Sequence, residues 1–187
     1  MAVDKHPHAA AIVAQLREHF PVGQPLRVAE LGVLGGAVSH RLLQRVPECH
    51  LVLVDPWKPY KTTEYTAMDL RFSEARWAQV KRRCLQGLQA FAPSRYTILA
   101  MTSDEAARQI TELLDLVFID GLHTRKQVAQ DIINWYPLLR LGGILGGHDI
   151  TTPGVLAAVE AAGIPFQCGE AKTWWFPPKT GAGPWEN

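Results

Sequence analysis

Two apolar stretches of this chain each lead into an acid and an imidazole. The run at residues 116–119 is followed at once by Asp120 and, within the next turn, by His123. A glycine-rich run further along the chain leads into His148 and Asp149. A buried parallel strand carries polar side chains to the carboxyl edge of an α/β sheet in this way. Because the carboxyl ends of adjacent strands meet at one edge, we expect these side chains to form a single site.

The residue types at this edge are those that bind metal ions. The carboxylates of Asp120 and Asp149 could converge on one cation, and hard oxygen ligands suit Mg²⁺. The imidazole of His148 would shift the preference toward Mn²⁺, Fe²⁺, Co²⁺ or Zn²⁺. A second grouping, of His123, His148 and one aspartate, has the two-histidine, one-carboxylate composition of iron oxygenases. The spacing alone leaves both groupings open.

A glycine turn provides the second candidate site. Gly32 and Gly36 follow an apolar strand and open a helix, which directs backbone amides and a helix N-terminus at a ligand. The turn is not the dinucleotide fingerprint, because Leu34 stands where G-x-G-x-x-G requires a glycine. Glu30 precedes the first glycine, and Asp55 lies at the end of the next apolar strand. The pattern therefore argues against a dinucleotide and pairs the turn with two acids.

Apolar strands that alternate with amphipathic helices must position these residues. This order predicts an α/β fold with a doubly wound, Rossmann-like, mostly parallel sheet and an antiparallel edge hairpin at the C-terminus. The predicted strands are 26–31, 51–54, 96–100, 116–119 and 142–146, and the predicted helices include 7–20, 74–91 and 154–162, with others beginning after Gly36 and near Thr102 and Thr124. In the hairpin, strand alternation predicts that only one of Trp174 and Trp175 faces inward, which leaves one indole for a pocket or a subunit contact.

Length and composition predict one domain. A chain of 187 residues that is 47% hydrophobic can bury one sizeable core. We expect residues 1–187 to form that domain, with an N-terminal helix in 1–25, a lid segment at 57–73 and a terminal hairpin and tail at 164–187. The lid is predicted because the segment is longer than the usual connection in an α/β unit, and long connections are often functional.

The charge and the cysteines argue against several classes of protein. The formal net charge is only +1 and the basic residues are scattered, so we expect neither nucleic acid nor a membrane surface as a partner. The 3 cysteines are far apart and have no C-x-x-C spacing, which predicts reduced thiols. No apolar stretch is typical of a secretion signal or a spanning helix, so we expect a cytoplasmic protein.

The glycine turn and its acids resemble the class I S-adenosylmethionine-dependent methyltransferases. The resemblance implies that the turn, through Gly32 and Gly36, approaches the methionine part of the cofactor. It also implies that Glu30 lies near the cofactor's ammonium group and that Asp55 accepts both ribose hydroxyls. This ligand is a cation without phosphate, which suits a turn flanked by acids. Relatives often carry an acid and a small residue after the third strand; here a threonine and Ser103 stand there, so the adenine contact falls to Ser103.

The acid and imidazole edge resembles the small-molecule O-methyltransferase branch that includes the macrocin O-methyltransferase and cephalosporin hydroxylase families. The motifs I-D-G-x-H, W-x-P-L-L and G-G-x-x-x-x-H-D succeed one another within residues 119–149. The resemblance implies that Asp120, His148 and Asp149 hold a divalent metal, Mg²⁺ or Mn²⁺ before Fe²⁺ or Zn²⁺, with Asp120 also beside the cofactor. His123 would be the general base. The implied reaction is metal-assisted methyl transfer to a hydroxyl of a small molecule of sugar or phenol type.

Two alternatives to a methyltransferase stay open. One is an iron hydroxylase-like enzyme at the two-histidine grouping, and the other is a non-catalytic cofactor-binding module that associates with another protein. The chain has no sizeable domain outside the sheet to enclose an acceptor, and a homodimer could supply the missing wall. Asp131 is predicted to be structural. The remaining histidines are predicted to be surface or packing residues: His6, His8, His19, His40 and His50.

Overall fold

The computed structural model describes residues 7–60 and 72–185. Within these ranges the α-helices are α1 (Pro7–His19), α2 (Ala37–Arg45), α3 (Glu74–Leu88), α4 (Ser103–Ala107), α5 (Arg125–Trp135) and α6 (Pro153–Ala161). The strands are β1 (Leu26–Leu31), β2 (Cys49–Val54), β3 (Tyr96–Leu99), β4 (Leu114–Ile119), β5 (Leu139–Gly147), β6 (Gln167–Cys168) and β7 (Trp174–Trp175). Most of the predicted lid, residues 61–71, and also His6 lie outside the described residues.

The strands form one sheet in the order β3-β2-β1-β4-β5-β7-β6. The first five are parallel, and β7 runs antiparallel to both β5 and β6. The predicted doubly wound α/β fold with an antiparallel C-terminal edge is therefore confirmed. The chain order reverses at β1, which lies between β2 and β4. Ligands of open α/β sheets bind at such a reversal, beyond the carboxyl ends of the strands.

Helices cover both faces of the sheet and create two hydrophobic clusters. One cluster includes side chains of α1, α2 and α3, and the other includes side chains of α4, α5 and α6. This arrangement overturns the prediction that one C-terminal indole is left exposed. Trp174 and Trp175 do alternate, but Trp174 packs in the second cluster and Trp175 in the first, with exposures of 0% and 5%. Alternation distributes the two indoles between two buried faces instead of between core and solvent.

The predicted helix starts are largely confirmed. Thr102 and Glu105 form a reciprocal capping box at α4, and the Thr124 hydroxyl accepts a hydrogen bond from the Gln127 amide at α5. The side chain of Gln127 does not return to its cap; it donates to Ser103 and Asp131. This difference matters for the site, because it turns Gln127 toward the strand ends.

No helix among residues 7–60 and 72–185 is long and apolar enough to cross a membrane. A location in the cytoplasm, a homodimer and the absence of a nucleic-acid partner stay predictions from the sequence.

Candidate functional site

The glycine turn between β1 and α2 packs directly against the carboxyl end of β4. Gly32 has a φ of +92°, and a Cβ on it would lie 2.2 Å from the carbonyl oxygen of Asp120. Gly36, with a φ of +77°, is the N-cap of α2, and a Cβ there would lie 2.8 Å from the Sγ of Cys84. Both positions therefore require glycine for the backbone conformation and for the close approach.

Asp55 holds this turn in place from the end of β2. Its Oδ2 accepts hydrogen bonds from the backbone amides of Val33, at 3.0 Å, and Leu34, at 2.8 Å. Its Oδ1 accepts one from the amide of Trp57 at 2.7 Å, and the indole of Trp57 in turn donates to the carbonyl of Leu34. The sequence predicted a ribose-binding role for Asp55, and the structure adds a second one: the carboxylate ties β2 to the turn.

Glu30 lies beneath the turn and is only 1% exposed. The hydroxyl of Ser39 donates to its Oε2 at 2.6 Å. Burial raises the pKa of Glu30 to about 8, against the lowering effect of the Ser39 hydrogen bond and with a further rise from the charges of Asp120 and Asp55. At neutral pH this carboxyl is therefore mainly protonated. The predicted contact of Glu30 with an ammonium group would require it to ionise.

The pKa of Glu30 predicts a pH-dependent effect of Glu30→Gln on stability. Folding raises the pKa from 4.5 to about 8, so the folded chain retains a proton that the unfolded chain releases, and stability is lost as the pH rises across that window. We expect Glu30→Gln to increase the free energy of unfolding by on the order of 2 to 4 kcal/mol at pH 8 and by little near pH 4.5. Urea unfolding at both pH values measures this.

The exposed acid Glu160 on α6 provides the control. Glu160→Gln should leave the difference in stability between the two pH values as it is in the unmodified protein. A Glu30→Gln variant that differs from the unmodified protein by the same amount at both pH values would contradict the assigned pKa.

Asp120, His123 and His148 come together just beyond the ends of β4 and β5. The Oδ1 of Asp120 lies 3.3 Å from the Nδ1 of His148 and 3.5 Å from the Nε2 of His123. One donor atom from each of the three residues lies within 4.8 Å of the other two. We call these residues the Asp120 cluster. Its composition, two imidazoles and one carboxylate, is that of a divalent metal site.

Asp149 lies beside the Asp120 cluster. Its Oδ2 is 3.8 Å from the Nδ1 of His123, and its Oδ1 is 3.6 Å from the Nδ1 of His148. The carboxylate therefore faces the nitrogen of His123 that is turned away from Asp120. A carboxylate in that place would orient the imidazole of His123 if it bound a metal.

The electrostatics of the Asp120 cluster favour the charged forms of Asp120 and His148. Burial would raise the pKa of Asp120, but hydrogen bonds and charge interactions with His123 and His148 outweigh it, and the pKa is lowered. For His148, burial would lower the pKa, but interactions with Asp120 and Asp149 and a hydrogen bond to the backbone of Ala171 outweigh burial and raise it. The carboxylate of Asp120 is thus ionised, as a metal ligand must be.

A cavity connects the glycine turn to the Asp120 cluster. Its volume is about 210 Å³, and it is partly open to solvent. Of the six residues predicted to contact the cofactor, four line this cavity, namely Gly32, Asp55, Ser103 and Asp120, whereas Glu30 and Gly36 do not. The residues that line it are Leu31, Gly32, Leu34, Val54, Asp55, Pro56, Tyr60, Trp77, Thr102, Ser103, Asp104, Asp120, Gly121, Leu122, Gln127 and Asp131.

The lining of the cavity also contains a small polar network. The Ser103 hydroxyl donates to the Oδ1 of Asp131 at 2.5 Å, and the Gln127 amide donates to the same oxygen at 3.0 Å. Burial raises the pKa of Asp131 to about 7, although both hydrogen bonds lower it. Asp131 therefore ties α5 to the start of α4, and it also lines the cavity.

One residue near the Asp120 cluster was missed in the sequence. His8, predicted as a surface or packing residue, has its Nε2 4.0 Å from the Oδ2 of Asp120, and its ring centroid is 4.8 Å from that of His148. A signal was present: His8 lies four positions before Ile12 and eight before Leu16, so all three share one face of α1. Ile12 and Leu16 are fully buried, which places His8 at the inner end of that face.

The chain belongs to a family of methyltransferases. The family described as a methyltransferase domain matches residues 29–150, more than half of the sequence. The match includes the glycine turn, Asp55, the Asp120 cluster and Asp149, and it excludes α1. The predicted membership is confirmed, and the family match gives no support to the iron hydroxylase or to the non-catalytic module. No curated protein sequence matches the chain significantly.

Several solved structures with a similar fold are methyltransferases by name. A putative caffeoyl-CoA O-methyltransferase from Staphylococcus aureus is 12% identical with a TM-score of 0.65, over 95% of this chain and 85% of that one. The O-methyltransferase TomG from Streptomyces achromogenes, in complex with S-adenosylmethionine, is 14% identical with a TM-score of 0.64, over 95% and 82%. A TDP-rhamnose 3'-O-methyltransferase of calicheamicin biosynthesis is 15% identical with a TM-score of 0.64, over 93% and 81%. At these identities the likeness is one of fold.

Proposed function

We propose that this protein is an S-adenosylmethionine-dependent O-methyltransferase that methylates a hydroxyl of a small molecule with the help of a divalent metal. The observation that carries the proposal is the position of Asp120. This residue lines the cavity beside the glycine turn and also belongs to the Asp120 cluster. A methyl donor in the cavity and a metal-bound acceptor at the cluster would therefore lie on the two sides of one carboxylate.

The cavity suits S-adenosylmethionine as the donor. The turn keeps a leucine side chain at Leu34 where a pyrophosphate would need bare backbone, whereas the acids Asp55 and Asp120 suit a cation. Gly32 gives close access to the turn, and Ser103, which also lines the cavity, would contact the adenine. The complex of TomG with S-adenosylmethionine, which has the same fold, supports this choice.

The chemistry of the Asp120 cluster suits a divalent metal. Donor atoms that share one ion at about 2.1 Å are separated by about 3.0 to 3.4 Å in common coordination geometries. The Oδ1 of Asp120 has His148 Nδ1 at 3.3 Å and His123 Nε2 at 3.5 Å. We assign these three residues as the donors, with Asp149 supporting His123. The sequence-based assignment of Asp149 as a ligand stays a prediction.

The bond changes are simple. Bound S-adenosylmethionine would supply an electrophilic methyl on a sulfonium sulfur, and a divalent ion held by Asp120, His123 and His148 would lower the pKa of the acceptor hydroxyl. A C–O bond forms, the C–S bond breaks and the hydroxyl proton leaves to a base. The chain positions the two reactants: Asp55 fixes the turn that holds S-adenosylmethionine, and Asp120 fixes the distance from the methyl donor to the acceptor hydroxyl.

His123 has two possible roles, as a ligand of the metal or as the general base. Its Nε2 faces Asp120, which supports a role as metal ligand, whereas the resemblance to the methyltransferases implied a general base. The variant His123→Ala distinguishes them. A metal donor predicts lower metal affinity as well as lower turnover, and a base predicts lower turnover at unchanged metal affinity.

Methyl transfer to a panel of acceptors tests the proposal. Catechols, simple phenols and sugar nucleotides would be incubated anaerobically with labelled S-adenosylmethionine, with and without chelator, and products identified by mass spectrometry. We expect O-methylation that chelator abolishes and Mg²⁺, Mn²⁺ or Co²⁺ restores. Transfer to nitrogen or carbon acceptors alone, or full O-methylation in chelator, would contradict the proposal.

Asp55→Asn is expected to weaken binding of S-adenosylmethionine by at least about tenfold, because charge-assisted hydrogen bonds to Val33 and Leu34 are lost and each contributes about 1.5 to 3 kcal/mol. An asparagine can also direct only one oxygen at three backbone donors. Calorimetric titration measures the change, and Glu160→Gln should bind as the unmodified protein does. Unchanged affinity of Asp55→Asn would show that neither the turn nor a ribose contact depends on this carboxylate.

A further inference from the structure

Helix α1 brings a third imidazole to the Asp120 cluster. The helix begins at Pro7, and His8 is its second residue. The Oδ1 of Asp120 is directed at His123 and His148, whereas its Oδ2 is directed at His8. Three imidazoles from three separate parts of the chain therefore surround one carboxylate.

The position of His8 is fixed by packing. Ala9, Ile12 and Leu16 of α1 are all 0% exposed and belong to the hydrophobic cluster shared with α2. Helix α1 also contacts the turn at Glu170–Lys172, in which the backbone of Ala171 hydrogen-bonds His148. The helix thus has little freedom to slide, and His8 is held at the cluster by the same contacts that anchor α1.

His8 stands outside the three residues whose donor atoms lie within 4.8 Å of one another, and it faces the other oxygen of Asp120 at a distance that suits a shared ion. The separation of 4.0 Å between His8 Nε2 and Asp120 Oδ2 is too long for a hydrogen bond. Donors bound to one ion at about 2.1 Å lie between about 3 Å apart, when adjacent, and about 4.2 Å apart, when opposite. The ring of His8 is only 19% exposed, so the imidazole is largely withdrawn from solvent at this place.

We propose that His8 is a fourth protein donor to the metal of the Asp120 cluster. The inference rests on the proposed metal-assisted function and sharpens its cofactor. A set of three imidazoles and one carboxylate favours Mn²⁺, Fe²⁺, Co²⁺ or Zn²⁺ over Mg²⁺, which takes oxygen ligands and water. It also makes α1, which lies outside the matched methyltransferase region, a part of the site.

Titration of the full chain with Co²⁺ tests the proposal without an acceptor. Calorimetry gives the affinity, and visible absorption reports the ligands of the ion. We expect His8→Ala and His8→Gln to lower Co²⁺ affinity at least about tenfold and to change the absorption spectrum. His19→Ala removes an exposed histidine from the same helix and should match the unmodified protein.

The two His8 variants distinguish a role of His8 as a metal ligand from a role in packing alone. Gln retains a polar side chain but has no imidazole, so a loss in His8→Ala without a loss in His8→Gln would overturn the proposal, as would Co²⁺ binding unchanged in both. Urea unfolding of the metal-free proteins verifies that each variant folds. If the unmodified protein binds no Co²⁺, the metal of the proposed function fails together with this inference; if it binds Co²⁺ and His8 is dispensable, only the inference fails.

Discussion

Asp120→Asn is expected to reduce methyl transfer by on the order of 10³-fold, because a metal ion that stabilises the reacting oxygen contributes several kcal/mol. The substitution retains the shape of the side chain and removes the charge that His123 and His148 surround. Metal affinity should fall with turnover. Affinity for S-adenosylmethionine should change less than about tenfold, because Asp55 and the glycine turn remain to hold it.

The matched comparison is Asp149→Asn, which removes a charge from the neighbouring acid. Asp149 faces His123 from outside the Asp120 cluster, so we expect a loss of about 10- to 100-fold, typical of a group that orients a ligand. Metal-dependent turnover and calorimetry with Mn²⁺ measure both variants. A larger loss for Asp149→Asn than for Asp120→Asn would reverse the proposed roles.

Gly32→Ala is expected to lower the free energy of unfolding by at least about 3 kcal/mol, because strain at a left-handed residue and a clash with backbone add together. A Cβ at Gly32 would lie 2.2 Å from the carbonyl oxygen and 2.5 Å from the carbonyl carbon of Asp120, at a φ of +92°. Either the turn or the end of β4 must move. The Gly32→Ala variant should therefore also lose binding of both S-adenosylmethionine and the metal.

Gly35→Ala is the control in the same turn. A Cβ at Gly35 has nothing within 4 Å, and its φ is not in the left-handed region. We expect a change within about 1 kcal/mol, of either sign. Urea unfolding of the two variants measures the difference. Equal destabilisation by both substitutions would show that the contact of the turn with Asp120 does not fix the site.

The features that the sequence predicted well have local causes. The cores of β2 and β4 are continuous apolar runs, the starts of α4 and α5 carry their own capping residues, and Gly32 and Gly36 occupy two positions of the turn where the backbone takes positive φ. The meeting of Asp120 with His148 follows from one general rule, that the carboxyl ends of adjacent parallel strands share an edge. Such features need no knowledge of distant parts of the chain.

The features that the sequence left out depend on tertiary packing. Trp174 and Trp175 are both buried because helices cover each face of the sheet, which strand alternation cannot reveal. His8 reaches Asp120 only because α1 docks beside the end of the sheet. The bonds of Asp55 to the turn likewise depend on how β2 and the turn pack.

The central claim is that the cavity between the glycine turn and the Asp120 cluster binds a sulfonium methyl donor beside a divalent metal. Calorimetric titration of the unmodified protein with S-adenosylmethionine, S-adenosylhomocysteine and NAD, in chelator and with added Mn²⁺, tests it most directly. We predict one site for each of the first two ligands, no binding of NAD, and a separate Mn²⁺ site that Asp120→Asn abolishes. Binding of NAD without binding of S-adenosylmethionine would contradict the account.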